Sequence, residues 1–140
     1  MFGTQMIAKR KSVLPTRSEL RLLQALWDLG QGTVEDVINH LGSTNRPNYK
    51  TTQTILRIME QKSLIHHISR GRVFVFAPRV TREEVGRLSV RNLLDQNFGG
   101  SPVELLVNLL EASPVKETEL DELEALIRNY RQKKDSAEKP

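Results

Sequence analysis

Cysteine is absent from this chain of 140 residues. Disulfide bonds, thiolate nucleophiles and cysteine-based metal sites are therefore excluded. The sequence also lacks an apolar run long enough to span a bilayer, and it lacks a charged-then-apolar signal segment. These absences predict a soluble, cytoplasmic protein. At this length, one domain or two small lobes are expected.

Catalytic chemistry has little support in the sequence. His66 and His67 are the only paired histidines, and on a strand they are expected to point to opposite faces, where they cannot share one metal ion. His40 stands alone. No serine lies in a nucleophile elbow, and no glycine-rich loop is present to cradle a phosphate. The sequence therefore predicts no enzyme, no metal site and no cofactor.

Positive charge is concentrated in the first part of the chain. Residues 1–80 contain 12 Lys and Arg against 5 Asp and Glu, a formal charge of +7. Residues 81–140 contain 9 against 12, a formal charge of −3. A basic surface attracts nucleic-acid backbones because binding releases condensed counterions. A solvated surface that is basic by chance is the alternative.

Capping residues in this basic part predict three helices. They span residues 16–30, 33–42 and about 48–63. The only tryptophan, Trp27, lies among the apolar residues of the first helix and is expected in the core. Polar residues 43–47 separate the second helix from the third. Two helices joined by a short loop, with a third helix following, are consistent with a helix-turn-helix domain.

The third helix has one polar side and one apolar side. At 100° per residue, Lys50, Gln53, Thr54, Arg57 and Gln61 lie on one side, and Thr52, Ile55, Leu56 and Met59 lie on the other. Residues 65–69 and 73–78 then predict a β-hairpin whose turn is Arg70-Gly71-Arg72. A helix suited to a DNA groove, followed by a charged β wing, is typical of a winged helix-turn-helix.

The polar side predicts two kinds of DNA contact. The residues placed to reach base edges or nearby phosphates are Lys50, Thr51, Gln53, Thr54 and Arg57. Backbone contacts are expected from Arg46, Tyr49, Arg70 and Arg72. Tyr49 has the alternative of packing beside Pro47. A winged helix that binds protein partners is the rival interpretation of the whole domain.

From Thr81 onward, the sequence predicts three short helices with apolar stripes and then a charged tail. The breaks between the helices are expected at residues 99–102 and 112–115. The apolar stripes include Leu105, Leu106, Leu109, Leu123, Ile127 and Tyr130. Such stripes are better buried against a second copy of the same segment, which predicts a homodimer. The alternative is that they pack onto the winged domain of their own chain.

The predicted fold class is mainly α with a small β-hairpin wing. Residues 1–13 are expected to form a flexible basic arm, which either touches phosphates or only increases solubility. Residues 14–80 are expected to form a winged helix-turn-helix DNA-binding domain. Residues 81–140 are expected to form a C-terminal helical dimerisation domain with a charged tail.

The same residues resemble a known family. The run from Pro47 to Arg57, the wing residues Gly71 and Arg72, and the segment Phe98-Gly99-Gly100-Ser101 are similar to the penicillinase repressor (BlaI/MecI) family. The resemblance covers residues 14–131 in outline. It implies a dimeric bacterial repressor, sitting on an inverted-repeat operator in double-stranded DNA, that responds to cell-wall antibiotics.

The resemblance also implies a way in which repression ends. In inducible members, a membrane receptor-protease of the signalling pathway acts as the partner, and the cut falls at an Asn-hydrophobic bond that corresponds to Asn108-Leu109. Asn97-Phe98 is chemically similar but lies out of register. Asn108 is equally consistent with a polar surface position that has no processing role. Copper-responsive relatives carry paired cysteines, which this chain lacks.

This sequence departs from the family near the end of the third helix. Ile58 stands where the family usually has a second arginine, and Ser63 stands where it usually has a glycine. Tyr49 replaces a small residue or proline. The basic side of the helix is unaffected by these departures.

Overall fold

The computed structural model describes residues 14–42, 44 and 46–138. Its elements are α1 (Arg17–Leu29), α2 (Val34–Leu41), α3 (Tyr49–Gln61), β1 (Ile65–Arg70), β2 (Val73–Pro78), α4 (Arg82–Asn97), α5 (Pro102–Ala112) and α6 (Glu117–Glu138). The predicted class, mainly α with a β-hairpin wing, is confirmed. The predicted basic arm, residues 1–13, lies outside the described residues.

Contacts along the chain divide it into two compact units, Met1–Leu93 and Leu94–Pro140. The sequence predicted a boundary at Thr81, whereas the first unit continues through the first turns of α4. The reason is packing, because Val85 on α4 is buried in the core of the first unit.

The helix starts of the first unit follow the predicted capping pattern. Thr16 Oγ1 accepts a hydrogen bond from the Glu19 N–H, and Glu19 Oε1 accepts one from the Thr16 N–H. Thr33 and Asp36 make the same reciprocal pair at the start of α2. Each pair satisfies N–H groups that have no partner inside the helix. Both helices end at a glycine with positive φ, as predicted.

The core of the first unit is formed by α1, α2, α3, the wing and the start of α4. Its buried members include Leu22, Leu23, Leu26, Val37, Ile38, Leu56, Met59, Leu64, Ile65 and Phe76. Trp27 packs against this core, as predicted, and its Nε1 donates a 2.9 Å hydrogen bond to the Val80 carbonyl. Burial of these apolar surfaces is the main favourable contribution to folding.

The wing is anchored at its base. β1 and β2 pair antiparallel, and the Gly32 and Phe76 backbones exchange two further hydrogen bonds of 2.9 and 2.8 Å. Ile65 and Phe76 are buried in the core. Beyond this base, both Phe74 and Val73 are about half exposed. A two-stranded hairpin is marginally stable alone, so the position of its outer half depends on contacts with the rest of the domain.

Helix α3 ends at Gln61, earlier than predicted. The Leu64 N–H donates to the Met59 carbonyl and the Ser63 N–H donates to the Glu60 carbonyl, both at 3.0 Å. These two bonds form the Schellman motif, in which the residue after the cap adopts the left-handed conformation and is usually glycine. Ser63 occupies that position with φ +65°.

An ion pair between a partly exposed lysine and a buried glutamate joins the end of α3 to the start of α1. Glu19 is only 3% exposed, and both of its carboxylate oxygens accept hydrogen bonds of 2.9 Å from Lys62 Nζ. Oε1 also accepts the Thr16 N–H. A buried carboxylate is tolerated when its lone pairs are satisfied in this way. The pair therefore fixes where α3 ends relative to α1.

His40 pairs with an acidic side chain of α1, a contact that the sequence did not predict. Asp28 Oδ2 lies 3.0 Å from His40 Nε2, and Asp28 Oδ1 accepts a 3.0 Å hydrogen bond from Arg82. These hydrogen bonds, first that of His40 and then that of Arg82, lower the pKa of Asp28 below its ordinary value. The Arg82 guanidinium also lies 5.3 Å from the centre of the Trp27 ring. The start of α4 is thereby tied to α1.

The second unit contains the end of α4, then α5 and α6. Gly99 and Gly100 have positive φ and break the chain as predicted. Ser101 Oγ then caps α5 by accepting the Glu104 N–H at 3.2 Å. The three predicted helices and the two breaks between them are confirmed. Helix α6 is 22 residues long, however, so the prediction of a short third helix followed by a separate charged tail was wrong. The tail contains good helix formers and no glycine before residue 138, which lets the helix continue through Glu138.

The left-handed conformation of Ser63 generates a stability prediction. We expect Ser63→Gly to raise the free energy of unfolding by about 0.5 to 1 kcal/mol, because relief of the left-handed penalty exceeds the larger backbone entropy of glycine. Urea unfolding followed by circular dichroism measures the change. Ser63→Ala is the matched control, since it keeps the Cβ and should give no gain. A Ser63→Gly protein less stable than wild type would contradict the assignment of strain to this residue.

Candidate nucleic-acid interface

The N-terminus of α3 is capped by Asn48, as predicted. Its Oδ1 accepts the Lys50 N–H at 2.8 Å and the Thr51 N–H at 3.4 Å. The first turn of α3 contains no acidic residue. The partial positive charge of this helix end is therefore not neutralised by a neighbouring carboxylate of the same turn.

The two predicted sides of α3 are confirmed. Thr52, Leu56 and Met59 are buried, and the Thr52 hydroxyl is satisfied by donating to the Asn48 carbonyl at 2.9 Å. The residues directly opposite this buried side are exposed. They are Lys50, Thr54 and Gln61, with Arg57 beside them. Side chains of this set are free to contact a partner without disturbing the core.

A cleft of about 650 Å³ separates α3 from the wing. Four of the predicted contact residues line it together: Tyr49, Gln53, Arg57 and Arg72. Their spacing explains the arrangement, because residues four apart on a helix lie on one face. The other lining residues are Glu60 on α3, Val73, Phe74 and Phe76 on β2, and Thr33, Val34 and Glu35 at the start of α2.

The remaining predicted contact residues lie outside the cleft. Lys50, Thr51, Thr54, Arg46 and Arg70 are all exposed. The Thr54 hydroxyl donates to the Lys50 carbonyl at 2.9 Å, so its proton is used within the helix while its methyl group remains available. Tyr49 is 49% exposed and lines the cleft.

Basic side chains of this surface are available for anions. In the part of the chain that the structure describes, the side chains of Lys50, Arg57 and Arg72 take no part in an ion pair. Glu60 is an acidic side chain near these basic residues, and it is hydrogen-bonded to His67. The His67 Nδ1 lies 2.6 and 2.8 Å from the two Glu60 oxygens. Because a carboxylate only accepts, Nδ1 must carry the proton.

The two adjacent histidines point to opposite faces of the hairpin, as predicted. His67 is paired across the sheet with Phe76, whereas His66 is paired with Ala77 and is exposed. Sequence reasoning did not include His67, Glu60 or Phe74 in the site. The sequence could have indicated two of them, because the alternation of side chains along paired strands places His67 and Phe74 on the same face of the wing.

Neither a metal cluster nor a membrane-spanning segment is found in the described part of the chain. Among residues 14–42, 44 and 46–138, no group of three or more His, Asp or Glu side chains is placed to hold a metal ion. No helix in these ranges is both long and apolar enough to cross a membrane.

The second unit has apolar side chains that the described part of the chain leaves exposed. No residue of α5 is buried. Of the predicted dimerisation residues, Leu105, Leu106 and Leu123 are half-buried, whereas Leu109, Ile127 and Tyr130 are exposed. Val103, Val107 and Leu126 are also exposed and were not in the predicted set. The sequence signal for Val103 and Val107 is that α5 is apolar except for one stripe, formed by Glu104, Asn108 and Glu111.

Three helices followed by a two-stranded hairpin with a basic turn define a winged helix-turn-helix domain of the nucleic-acid-binding class. The family model described as penicillinase repressor matches residues 15–129. The chain therefore belongs to the penicillinase repressor family, a family of transcriptional repressors, and the resemblance predicted from the sequence is confirmed.

Individual relatives are similar over different lengths. The penicillinase repressor of Bacillus licheniformis is 25% identical over 117 residues, which cover 84% of this chain and 91% of that protein. The solution structure of the DNA-binding domain of the repressor BlaI is 29% identical, with a TM-score of 0.45, and covers 51% of this chain and 89% of that one. The monomeric Bacillus licheniformis BlaI in complex with the blaP half-operator is 29% identical, with a TM-score of 0.42, and covers 49% and 84%.

Proposed function

We propose that this protein is a cytoplasmic, homodimeric transcriptional repressor that binds an inverted-repeat operator and is released by proteolysis of its C-terminal unit. The observation that carries the DNA-binding part is the joint position of α3 and the wing. Gln53 and Arg57 from α3 line the same cleft as Arg72 from the wing, and the buried side of α3 faces away from them.

In this proposal, α3 enters the major groove and reads base edges. Gln53 suits adenine and Arg57 suits guanine, because each can make two parallel hydrogen bonds with its base, and the Thr54 methyl suits the thymine methyl. Lys50 and Thr51 contact bases or nearby phosphates. Arg46, Tyr49, Arg70 and Arg72 contact the DNA backbone, which sets the register of the protein but carries little sequence information.

Dimerisation rests on the exposed apolar residues of α5 and α6. Leu109 is 48% exposed and Tyr130 is 69% exposed in the single chain. Contiguous exposed apolar surface favours burial against a partner. A second copy of the same segment is the partner proposed here. It would hold two winged domains on half-sites about 34 to 36 Å apart, and two linked contacts bind more tightly than one.

Release by proteolysis is proposed at Asn108-Leu109. Asn108 lies on the polar stripe of α5 and its Nδ2 donates a 2.8 Å hydrogen bond to the Glu104 carbonyl. A bond within a helix enters a protease cleft only after local opening, so dissociation from DNA and from the partner copy would favour the cut. The protease would be a membrane receptor of the signalling pathway. Cutting there removes Leu109, Ile127 and Tyr130 from the winged domain.

Arginine and lysine variants of α3 test the DNA-binding proposal. We expect Arg57→Ala and Lys50→Ala to weaken operator binding while leaving the oligomeric state unchanged. A lost base contact costs about 1 to 3 kcal/mol and relaxes preference at one position, whereas a lost phosphate contact lowers the salt slope by about one. Fluorescence anisotropy at several salt concentrations, with unrelated DNA as competitor, measures both quantities.

Arg91→Ala on α4 is the control, because it removes the same charge from an exposed position outside α3 and the wing. Operator affinity that is the same in Arg57→Ala, Lys50→Ala and wild type would refute the assignment of α3. A wild-type protein with no preference for any duplex would instead favour a winged helix that binds a protein partner.

The dimer is tested at Ile127, which is 49% exposed in the single chain. We expect Ile127→Asp to give a monomer with a folded winged domain that binds a single half-site weakly, because a buried charge opposes association. Sedimentation velocity measures the oligomeric state. Glu124→Gln, an exposed position on the same helix, should remain dimeric. A wild-type monomer at micromolar concentration would remove the basis of this proposal.

The site of release is tested in cells exposed to a cell-wall antibiotic. We expect mass spectrometry to find a fragment ending at Asn108, and we expect Asn108→Ala to remain intact and to keep repressing. Asn97→Ala is the matched control at the chemically similar bond, and it should be cut normally. Derepression while the wild-type chain stays at full length would contradict proteolytic release and favour dissociation by a ligand.

A further inference from the structure

The outer half of the wing carries Arg70 and Arg72 but contributes little to the core. Of the β1 and β2 residues nearest the turn, Ser69, Arg70, Val73 and Phe74 are all exposed. A flexible turn would lose backbone and side-chain freedom on binding DNA, which opposes association. Contacts that hold this half of the wing in place therefore influence how tightly its arginines can bind DNA.

One set of contacts links this half of the wing to α3. The His67 ring stacks on the Phe74 ring, with centroids 4.1 Å apart and planes inclined by 18°. Its Nδ1 donates to Glu60 on α3 at 2.6 Å. Phe76, at the anchored base, lies beside both rings, with its centroid 5.7 Å from His67 at an interplanar angle of 57° and 6.4 Å from Phe74 at 76°. The connection runs from α3 through Glu60 and His67 to Phe74.

We propose that His67 is a positioning residue for DNA binding, which holds the wing arginines at a fixed distance from the reading side of α3. Phe74 lies two residues after Arg72, so fixing its ring restrains the turn that carries both arginines. Glu60, at the other end of this set of contacts, lies one helical turn after Arg57, a predicted base-reading residue. The inference rests on the proposed DNA-binding function and adds a residue that need not touch DNA itself.

The cleft beside the contacts of His67 contains both basic and acidic side chains, so the orientation of the Glu60 carboxylate matters for DNA binding. The basic ones are Arg57 and Arg72, whose charges favour phosphate, and the acidic ones are Glu35 and Glu60, whose charges oppose it. The hydrogen bond from His67 holds the Glu60 carboxylate in one orientation. His66, the adjacent histidine, is exposed on the opposite face and makes none of these contacts. It therefore offers a control that differs by one position in the chain.

A double-mutant cycle on operator binding tests the proposal. We expect His67→Ala to weaken operator affinity by about three- to tenfold, the range of a modest coupling between neighbouring groups. In a protein that also carries Arg70→Ala and Arg72→Ala, the same substitution should have almost no effect, because the wing has no arginine left to position. His66→Ala should match wild type in both backgrounds.

A second pair of variants separates the hydrogen bond from charge. Glu60→Gln and Glu60→Ala both remove one negative charge, but only glutamine keeps an acceptor for His67 Nδ1. We expect Glu60→Gln to bind the operator about three- to tenfold more tightly than Glu60→Ala, because only the glutamine variant keeps the hydrogen bond to His67. Circular dichroism at the binding temperature verifies that every variant is folded.

Each outcome points to one conclusion. Equal losses from His67→Ala with and without the wing arginines would overturn the positioning role, as would equal affinity of the two Glu60 variants. Both results presuppose that the wild-type protein binds its operator. Absence of that binding would refute the proposed function, whereas normal binding with additive effects would refute only the role of His67.

Discussion

Burial of Leu56 and Met59 is the constraint on which the rest of the DNA-binding domain depends. These two side chains are fully buried, and with Thr52 they fix the rotation of α3 about its axis. Because each residue turns a helix by 100°, a different rotation would bury Gln53 or Arg57 and expose the core. The Glu19–Lys62 ion pair and the left-handed Ser63 then fix where the helix ends and where β1 begins. The exposed polar side of α3 therefore follows from its apolar side.

Sequence reasoning succeeded where the physical cause is local. The caps at Thr16, Thr33 and Asn48 depend on hydrogen bonds between residues two or three apart, so the pattern is visible in the sequence. The two sides of α3 depend only on helical periodicity. The family resemblance added the expected order of helices and wing. These three sources were sufficient for the fold class and for the side of α3 that is exposed.

The contacts that sequence reasoning missed join residues whose spacing has no periodic signal. Asp28 and His40 are 12 positions apart on different helices, and Glu60 meets His67 only because the Ser63 turn folds β1 back beside α3. The length of α6 was missed for another reason. Its last residues are charged, and charge was taken as a sign of a tail, although lysine, glutamate and glutamine are good helix formers. Burial of Val85 in the first unit likewise depends on tertiary packing.

The narrow polar stripe of α5 has a consequence for how repression responds to protein level. A helix that is apolar on every side but one is poorly suited to remain alone in water. In the proposed dimer, at concentrations where most copies are monomers, the amount of dimer varies with the square of the amount of intact chain. Halving the intact protein would then reduce the dimer roughly fourfold. Cutting a modest fraction of the chains would therefore open the operator more sharply than the loss of the same fraction of a monomeric repressor.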